Sequence, residues 1–128
     1  MAKSLVMALG AVFVLIGVLG FIPGITDDGE LLGIFAVSTP HNLVHLVSGG
    51  VALAAAASGE SAARMFAQVF GVVYGLVTIW GFVTGPGSDV LGFINVNQAD
   101  NVLHLVIAAA LLYVGFGGEQ GTKRPAAA

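Results

Sequence analysis

Two histidines lie four residues apart in the stretch STPHNLVHLV, where a strongly apolar run begins. Residues i and i+4 share one face of a helix, so His41 and His45 can bind one metal ion together. A related stretch, NQADNVLHLV, places Asp100 and His104 at the same spacing. Imidazole nitrogens and carboxylate oxygens are ligands that zinc, iron and copper accept. The two stretches therefore predict a transition-metal site with four candidate ligands.

Two other interpretations use the same residues. His45 and His104 alone could be the two axial ligands of a haem. Alternatively, Asn42 and Asn101, each three residues before a histidine, could lock two helices together through Asn–His hydrogen bonds. Such bonds are worth only about 0.6–2 kcal/mol each in a membrane, but they fix how helices pair. The complete candidate cluster has six members: His41, Asn42, His45, Asp100, Asn101 and His104.

The repeated motif helps to weigh these interpretations. Asn-x-x-His occurs twice, which favours a structural lock, since a lock between two related halves needs both copies. His41 and Asp100 occupy corresponding places but differ in type, and this difference favours a ligand or proton-handling site. Ionisable groups inside a membrane usually face the interior of the helix bundle.

The composition indicates a membrane protein. Hydrophobic residues make up 57% and charged residues 9% of the 128-residue chain, whereas soluble domains contain about 25% charged residues. The absence of cysteine excludes disulfides, thiolate metal ligands and thiol nucleophiles. Four basic residues and a net charge of -3 argue against nucleic-acid binding. The sequence has no P-loop and no dinucleotide-binding glycine pattern, and we predict no enzymatic activity.

Hydropathy predicts four transmembrane segments, which comprise residues 4–22, 40–57, 63–84 and 99–117. A helix rises about 1.5 Å per residue, so roughly 20 residues cross a hydrocarbon core that is ~30 Å thick. The second and fourth segments reach this length only if their polar starts belong to the helix. The histidines are therefore expected within the membrane, near one of its faces.

The basic residues indicate the orientation of these segments. Lys3 precedes the first segment, Arg64 lies beside the turn between the second and third, and Lys123 and Arg124 follow the fourth. With four segments these places share one face, which the positive-inside rule makes cytoplasmic. We therefore predict a multi-pass protein of the plasma (inner) membrane with both termini in the cytoplasm. Residues 119–128 are expected to form a flexible cytoplasmic tail.

The chain contains an internal repeat. Fifteen positions align without a gap when LGIFAVSTPHNLVHL, which begins at Leu32, is set against LGFINVNQADNVLHL, which begins at Leu91. Each unit contains two segments, so both halves run the same way and their pseudo-twofold axis stands along the membrane normal. The predicted fold is an all-α membrane domain, residues 1–118, in which four transmembrane helices form two parallel helical hairpins, about 4–57 and 63–117.

The loop before each histidine-bearing segment is apolar, although it lies outside the transmembrane segments. We expect these loops to fold back against the bundle and to bury five side chains: Leu31, Ile34, Phe35, Leu91 and Phe93. Ser38 and Asn97 occupy corresponding places where the second and fourth segments begin, and both residue types are favoured N-caps. Asp100 follows Asn97 by three residues, where a carboxylate stabilises a helix N-terminus.

The paired N-x-x-H-L motifs, HNLVHL and DNVLHL, each follow an apolar LG-x-x-x-V loop. In these features the chain resembles a bacterial family of small four-span membrane proteins that is catalogued as a domain of unknown function. The resemblance covers roughly residues 5–117 and implies the fold and residence in a membrane. Four residues match the motif: Asn42, His45, Asn101 and His104. The resemblance implies no activity.

These observations lead to a functional hypothesis with two alternatives. The hypothesis is a non-enzymatic accessory or scaffold subunit, surrounded by lipid, that belongs to a larger membrane complex or a homo-oligomer. The first alternative is a metal- or haem-binding membrane protein that uses His45 and His104, with His41 and Asp100 as further ligands. The second alternative is a small transporter or proton-handling module built on the same cluster.

Overall fold

The computed structural model describes residues 1–85, 89–90 and 94–117, and these residues form four helices. The helices are α1 (Ala2–Leu19), α2 (Thr39–Ser58), α3 (Glu60–Thr84) and α4 (Gln98–Phe116). Three of them, α1, α3 and α4, are long and apolar enough to cross a membrane. Helix α2 contains 20 residues, but the polar side chains in its first two turns lower its hydropathy. The residues of the expected tail, 119–128, lie outside the described part of the chain.

Short antiparallel strands occupy the loops at one end of the bundle. The loop after α1 contains β1 (Thr26–Asp27), β2 (Glu30–Leu31) and β3 (Phe35–Ala36), which pair in that order. The loop after α3 contains the pair β4 (Asp89–Val90) and β5 (Ile94–Asn95). The sequence predicts no strands here, because two-residue segments are too short to show an alternating pattern.

The apolar loops cover the end of the bundle only in part. Leu31 is buried as expected, and Phe35 is half-buried. The prediction for Ile34 is wrong: this side chain is 52% exposed, in the tight connection that begins at Leu32 with a positive φ of 56°. The predictions for Leu91 and Phe93 lie outside the described residues.

The helices pack as two hairpins. Helix α1 lies mainly along α2, and α3 lies mainly along α4. Glycines allow close approach in both hairpins, since a Cβ atom at Gly10 would lie 3.0 Å from Leu53 of α2, and one at Gly71 would lie 3.0 Å from Leu112 of α4. Between the hairpins, the rings of Phe13 and Tyr74 stack with centroids 5.5 Å apart. The core therefore lies where the two hairpins meet.

Glu60 stabilises the start of α1 from a neighbouring helix. Its carboxylate accepts hydrogen bonds from the backbone N–H groups of Ala2, at 2.8 Å, and Lys3, at 3.0 Å. These donors belong to the first turn of α1, which has no side-chain cap of its own. The contact places the starts of α1 and α3 at one end of the bundle, and the strands lie at the other end.

The starts of α2 and α4 are capped as predicted. Ser38 Oγ accepts the N–H of His41 at 3.3 Å. Asn97 Oδ1 accepts the N–H of Asp100 at 2.9 Å, and Asp100 Oδ2 accepts the N–H of Asn97 at 2.9 Å. This reciprocal pair is a capping box. The predicted N-caps and the predicted role of Asp100 at the helix start are confirmed.

The alanine substitution Asn97→Ala is expected to lower the free energy of unfolding by about 1–2 kcal/mol, the upper part of the range for a lost N-cap. Asn97 also donates from Nδ2 to the carbonyl of Ile34 at 2.8 Å, a bond between the two hairpins. The matched variant Ser38→Ala removes one longer bond and is expected to have a smaller effect. Unfolding in mixed detergent micelles measures both, and a larger loss for Ser38→Ala would contradict the prediction.

Candidate functional site

Three histidines of the predicted cluster meet in the core. His41 and His45 extend from α2 and His104 from α4, and none is more than 3% exposed. One ligand nitrogen from each lies within 4.8 Å of the other two. The ring centroids are 4.8 Å apart for His41 and His45, 5.6 Å for His41 and His104, and 6.1 Å for His45 and His104. Residues from both hairpins therefore contribute to one imidazole cluster.

A backbone carbonyl orients His41. Its Nδ1 lies 3.1 Å from the carbonyl oxygen of Asn95 in β5. A carbonyl oxygen only accepts hydrogen bonds, so Nδ1 carries the proton and Nε2 keeps its lone pair. His45 Nε2 lies 3.1 Å from this atom and donates to it. A carbonyl behind the imidazole is the usual arrangement for histidines that bind metal ions.

Two imidazole nitrogens have no hydrogen-bond partner among the described residues. These atoms are Nδ1 of His45 and Nδ1 of His104, and both are buried. A buried polar atom without a partner destabilises a protein by roughly 1–3 kcal/mol, so native structures contain few of them. The cluster is therefore not a closed hydrogen-bond network, and its histidines retain the capacity to bind a further group.

The predicted Asn–His hydrogen bonds are absent among the described residues. Oδ1 of Asn42 and Oδ1 of Asn101 have no partner, and Asn101 Nδ2 donates to Gln98 at 3.3 Å. Each amide instead contacts a glycine of the preceding helix: a Cβ atom at Gly20 would overlap Asn42, and one at Gly81 would overlap Asn101. The missing glycine side chains leave space for the amides, which therefore turn away from the histidines.

Asp100 has a different position from the one predicted for a metal ligand. The group of converging ligand atoms in the described part of the chain contains three histidines and not Asp100. Its carboxylate accepts the backbone N–H of Asn97 as part of the capping box. The helix start therefore uses the carboxylate that sequence analysis assigned to the metal.

A cavity of about 150 Å³ adjoins the three histidines. Ser48 of α2 and Tyr74 of α3 contribute hydroxyl groups to its wall, and the Tyr74 hydroxyl donates to Ser48 Oγ at 3.4 Å. The other walls are apolar and include Phe70 and Ile94. The three histidines thus line a space that a second molecule can occupy.

Three contributors to this site were not predicted from the sequence, namely Ser48, Tyr74 and Asn95. A difference between the two repeats could have indicated Tyr74, because it corresponds to Phe13 and only one copy is therefore polar. Asn95 contributes its backbone carbonyl, a group that residue type does not signal.

Comparisons with known proteins assign the chain to a family but not to an activity. No curated protein and no solved structure matches the chain at a significant level. A family model with the description Domain of unknown function (DUF4383) matches residues 3–117. This match confirms the predicted resemblance to a family catalogued as a domain of unknown function. Because the match covers most of the chain, the protein belongs to the family described as Domain of unknown function (DUF4383).

Proposed function

We propose that this protein is a small integral membrane protein that binds a transition-metal ion through His41, His45 and His104. The observation that carries this proposal is the convergence of three buried imidazoles, with one ligand nitrogen of each within 4.8 Å of the others. A further feature supports it: the Asn95 carbonyl accepts a hydrogen bond from His41 Nδ1 and so leaves His41 Nε2 with its lone pair.

The ligand set determines which metals fit. Imidazole binds zinc, copper, iron and nickel well, whereas magnesium and calcium prefer oxygen ligands. A tetrahedral site with metal–nitrogen bonds of about 2.0–2.1 Å places its ligand nitrogens roughly 3.3 Å apart. His41 Nε2 and His45 Nε2 are already 3.1 Å apart. Binding requires the proton of His45 to move from Nε2 to Nδ1, the nitrogen that now lacks a partner.

The same geometry argues against haem. Two axial histidines must face each other across a macrocycle. The three imidazole centroids form a compact triangle, with sides of 4.8, 5.6 and 6.1 Å, so His41 occupies space that the macrocycle would need. The adjoining cavity of about 150 Å³ is also smaller than the roughly 300–1,000 Å³ of typical sites for larger ligands. We therefore propose a single metal ion.

The membrane arrangement proposed here has four spans in two parallel hairpins within residues 1–118. Corresponding contacts in the two halves support it, because Gly20 lies against Asn42 in the first hairpin as Gly81 lies against Asn101 in the second. We count α2 as the fourth span because its polar side chains face the core and its outer face is apolar, with Val47 63% exposed. The plasma membrane, with both termini in the cytoplasm, is the proposed location.

Single-cysteine labelling tests this topology, because the chain contains no cysteine. Glu30→Cys lies in a strand at one end of the bundle, and Ser61→Cys lies at the opposite end. A membrane-impermeant maleimide is expected to label intact cells that carry Glu30→Cys. Cells that carry Ser61→Cys should require permeabilisation. Labelling of both variants in intact cells would refute the single span, α2, that the proposed topology places between these positions.

Elemental analysis tests the proposed metal site. Protein purified without chelators and supplied in turn with Zn²⁺, Cu²⁺, Ni²⁺ and Fe²⁺ is expected to retain about one equivalent of at least one of these metals, because one set of three ligands is present. Absence of stoichiometric metal under every condition would refute the proposal. A chelator-treated sample of the same preparation serves as the matched metal-free control.

A second candidate function is an accessory or scaffold subunit of a larger membrane complex or a homo-oligomer. Hydrogen bonds between the hairpins favour it: His41 to Asn95, Asn97 to Ile34 and Tyr74 to Ser48. These bonds make the polar core a structural connection even without metal. A metal-free protein that is oligomeric in native mass measurements, and whose histidine variants lose only thermal stability, would support this candidate.

A further inference from the structure

The size of the cavity beside the histidines limits what it can hold. Its volume is about 150 Å³, which equals the size of an engineered apolar cavity, ~150 Å³, known to bind benzene. One six-membered ring therefore fits, whereas a fused ring system does not. Phe70 and Tyr74 line the cavity and offer aromatic contacts to such a ring.

The polar groups in the wall define the chemistry of the ring. The oxygens of Tyr74 and Ser48 are 3.4 Å apart, longer than the usual ~2.7–2.8 Å of O–H···O bonds, so both hydroxyls can bind another oxygen. The three histidines line the same cavity, and a metal held by three ligands would have an open fourth position. No charged side chain lines it among the described residues. An uncharged ring with an oxygen substituent therefore matches the wall.

An apolar groove that faces the membrane shares two lining residues with this cavity. Val73 and Val77 of α3 line both the cavity and a larger groove on the outer surface of α3, which Leu76 and Trp80 also line. Val73 is 45% and Leu76 is 61% exposed, so the groove faces lipid in a membrane. An aliphatic chain attached to the ring can lie in this groove, where it packs against the apolar side chains in place of a lipid tail.

The side of the cavity nearest the loops is covered. Val90, Ile94 and Val96 form a buried apolar cluster there. This cluster packs against Val44 and Val77, which line the cavity. A ligand from the aqueous phase would have to pass through this cover, whereas a ligand dissolved in the bilayer reaches the groove directly. The geometry therefore favours a lipid-soluble ligand.

We infer that the cavity binds the ring of a lipid-soluble phenol or quinol, with its hydroxyl oxygen directed to the metal and its chain in the groove on α3. This inference rests on the proposed metal site. The ring enters from the bilayer between α2 and α3, stacks on Tyr74 and Phe70, and fills the position that three histidine ligands leave open. Binding alone is inferred, and no electron transfer is part of it.

Cobalt provides the test, because the visible absorption of Co²⁺ reports its ligands. Protein loaded with Co²⁺ in detergent is titrated with phenol and with 4-decylphenol, and bound cobalt is quantified in the same samples. We expect a saturable change in the Co²⁺ spectrum with one equivalent of either probe. The two probes are compared at equal mole fraction in the micelle. If 4-decylphenol binds more tightly than phenol, the ligand is a ring with a chain. If both bind equally, the ligand is a free phenol.

Three variants test the cavity. Val77→Phe fills the cavity and is expected to keep Co²⁺ but to lose at least tenfold in phenol affinity, and Tyr74→Phe is expected to weaken phenol binding severalfold. The matched control Val72→Phe lies on α3 but lines neither the cavity nor the groove, and it should keep both responses. One equivalent of Co²⁺ without any phenol response in the unmodified protein would overturn this inference and leave the metal site intact. Absence of every metal, Co²⁺ and the four metals of the elemental analysis alike, would overturn both.

Discussion

Replacing His104 by alanine is expected to weaken metal binding by more than about 100-fold, beyond the roughly 10–100-fold loss that follows removal of a group supporting a ligand. His104 is the only one of the three converging histidines that comes from α4. Without it, His41 and His45 of one helix remain, and two imidazoles bind a divalent ion weakly. Isothermal titration of the chelator-treated protein with Zn²⁺ measures the change.

Asp100→Asn is the matched control for this substitution. Asp100 lies on the same helix, one turn before His104, and an asparagine at this position can still accept the N–H of Asn97. We expect its metal affinity to equal that of the unmodified protein. A loss as large as that of His104→Ala would show that the carboxylate leaves the helix start and binds the ion. Unchanged affinity in His104→Ala would refute the proposed site.

Chelation separates loss of metal from loss of folding. A ligand that binds only the folded state stabilises it by RT ln(1 + [L]/Kd), about 2.7 kcal/mol when its concentration is 100 times Kd. The unmodified protein should therefore show a lower thermal midpoint after chelation, whereas His104→Ala should show the same midpoint with and without chelator. A chelator effect of equal size in both proteins would place the metal elsewhere.

The helices could be predicted from sequence because their ends carry local signals. The predicted segments differ from the observed helices by at most three residues, at the end of α1 (22 predicted, Leu19 observed) and the start of α3 (63 predicted, Glu60 observed). Hydropathy does not detect a polar first turn such as that of α3. The predicted start of α3 is therefore later than the observed start. Ser38 and Asn97 were recognisable as N-caps from residue type and place alone.

The details of the site depend on which helix each side chain contacts, and spacing does not provide this information. The i, i+4 spacing and the repeat placed His41, His45 and His104 together. The amides of Asn42 and Asn101 could not be oriented in the same way, since their direction depends on glycines some 20 residues earlier. The cavity arises between α2, α3, α4 and β5, four elements that meet only in the folded chain.

A second large effect is expected from Gly49→Ala, which should lower the free energy of unfolding by about 1–3 kcal/mol, the range for overpacked cores. A Cβ atom at Gly49 would lie 2.8 Å from the carbonyl oxygen of Gly10 and 2.8 Å from the backbone nitrogen of Val14. Backbone atoms cannot rotate away as a side chain can, so α1 and α2 must separate. Unfolding in mixed detergent micelles measures the loss.

Gly50→Ala is the matched control, because it changes the neighbouring residue of the same helix in the same way. A Cβ atom at Gly50 meets nothing within 4 Å, and alanine favours a helix by up to about 1 kcal/mol relative to glycine. We expect this variant to be as stable as the unmodified protein or more stable. Equal losses in the two variants would show that α1 and α2 do not pack as described.

The glycine pair also tests whether packing between α1 and α2 positions the histidines. Gly49 lies one turn beyond His45 on α2, so a helix displaced by a Cβ atom carries His41 and His45 with it, away from His104 of the other hairpin. Metal affinity should therefore fall in Gly49→Ala and stay unchanged in Gly50→Ala. If Gly49→Ala loses stability but keeps full metal affinity, then α1 has moved away from α2, and α2 has kept its position against α4.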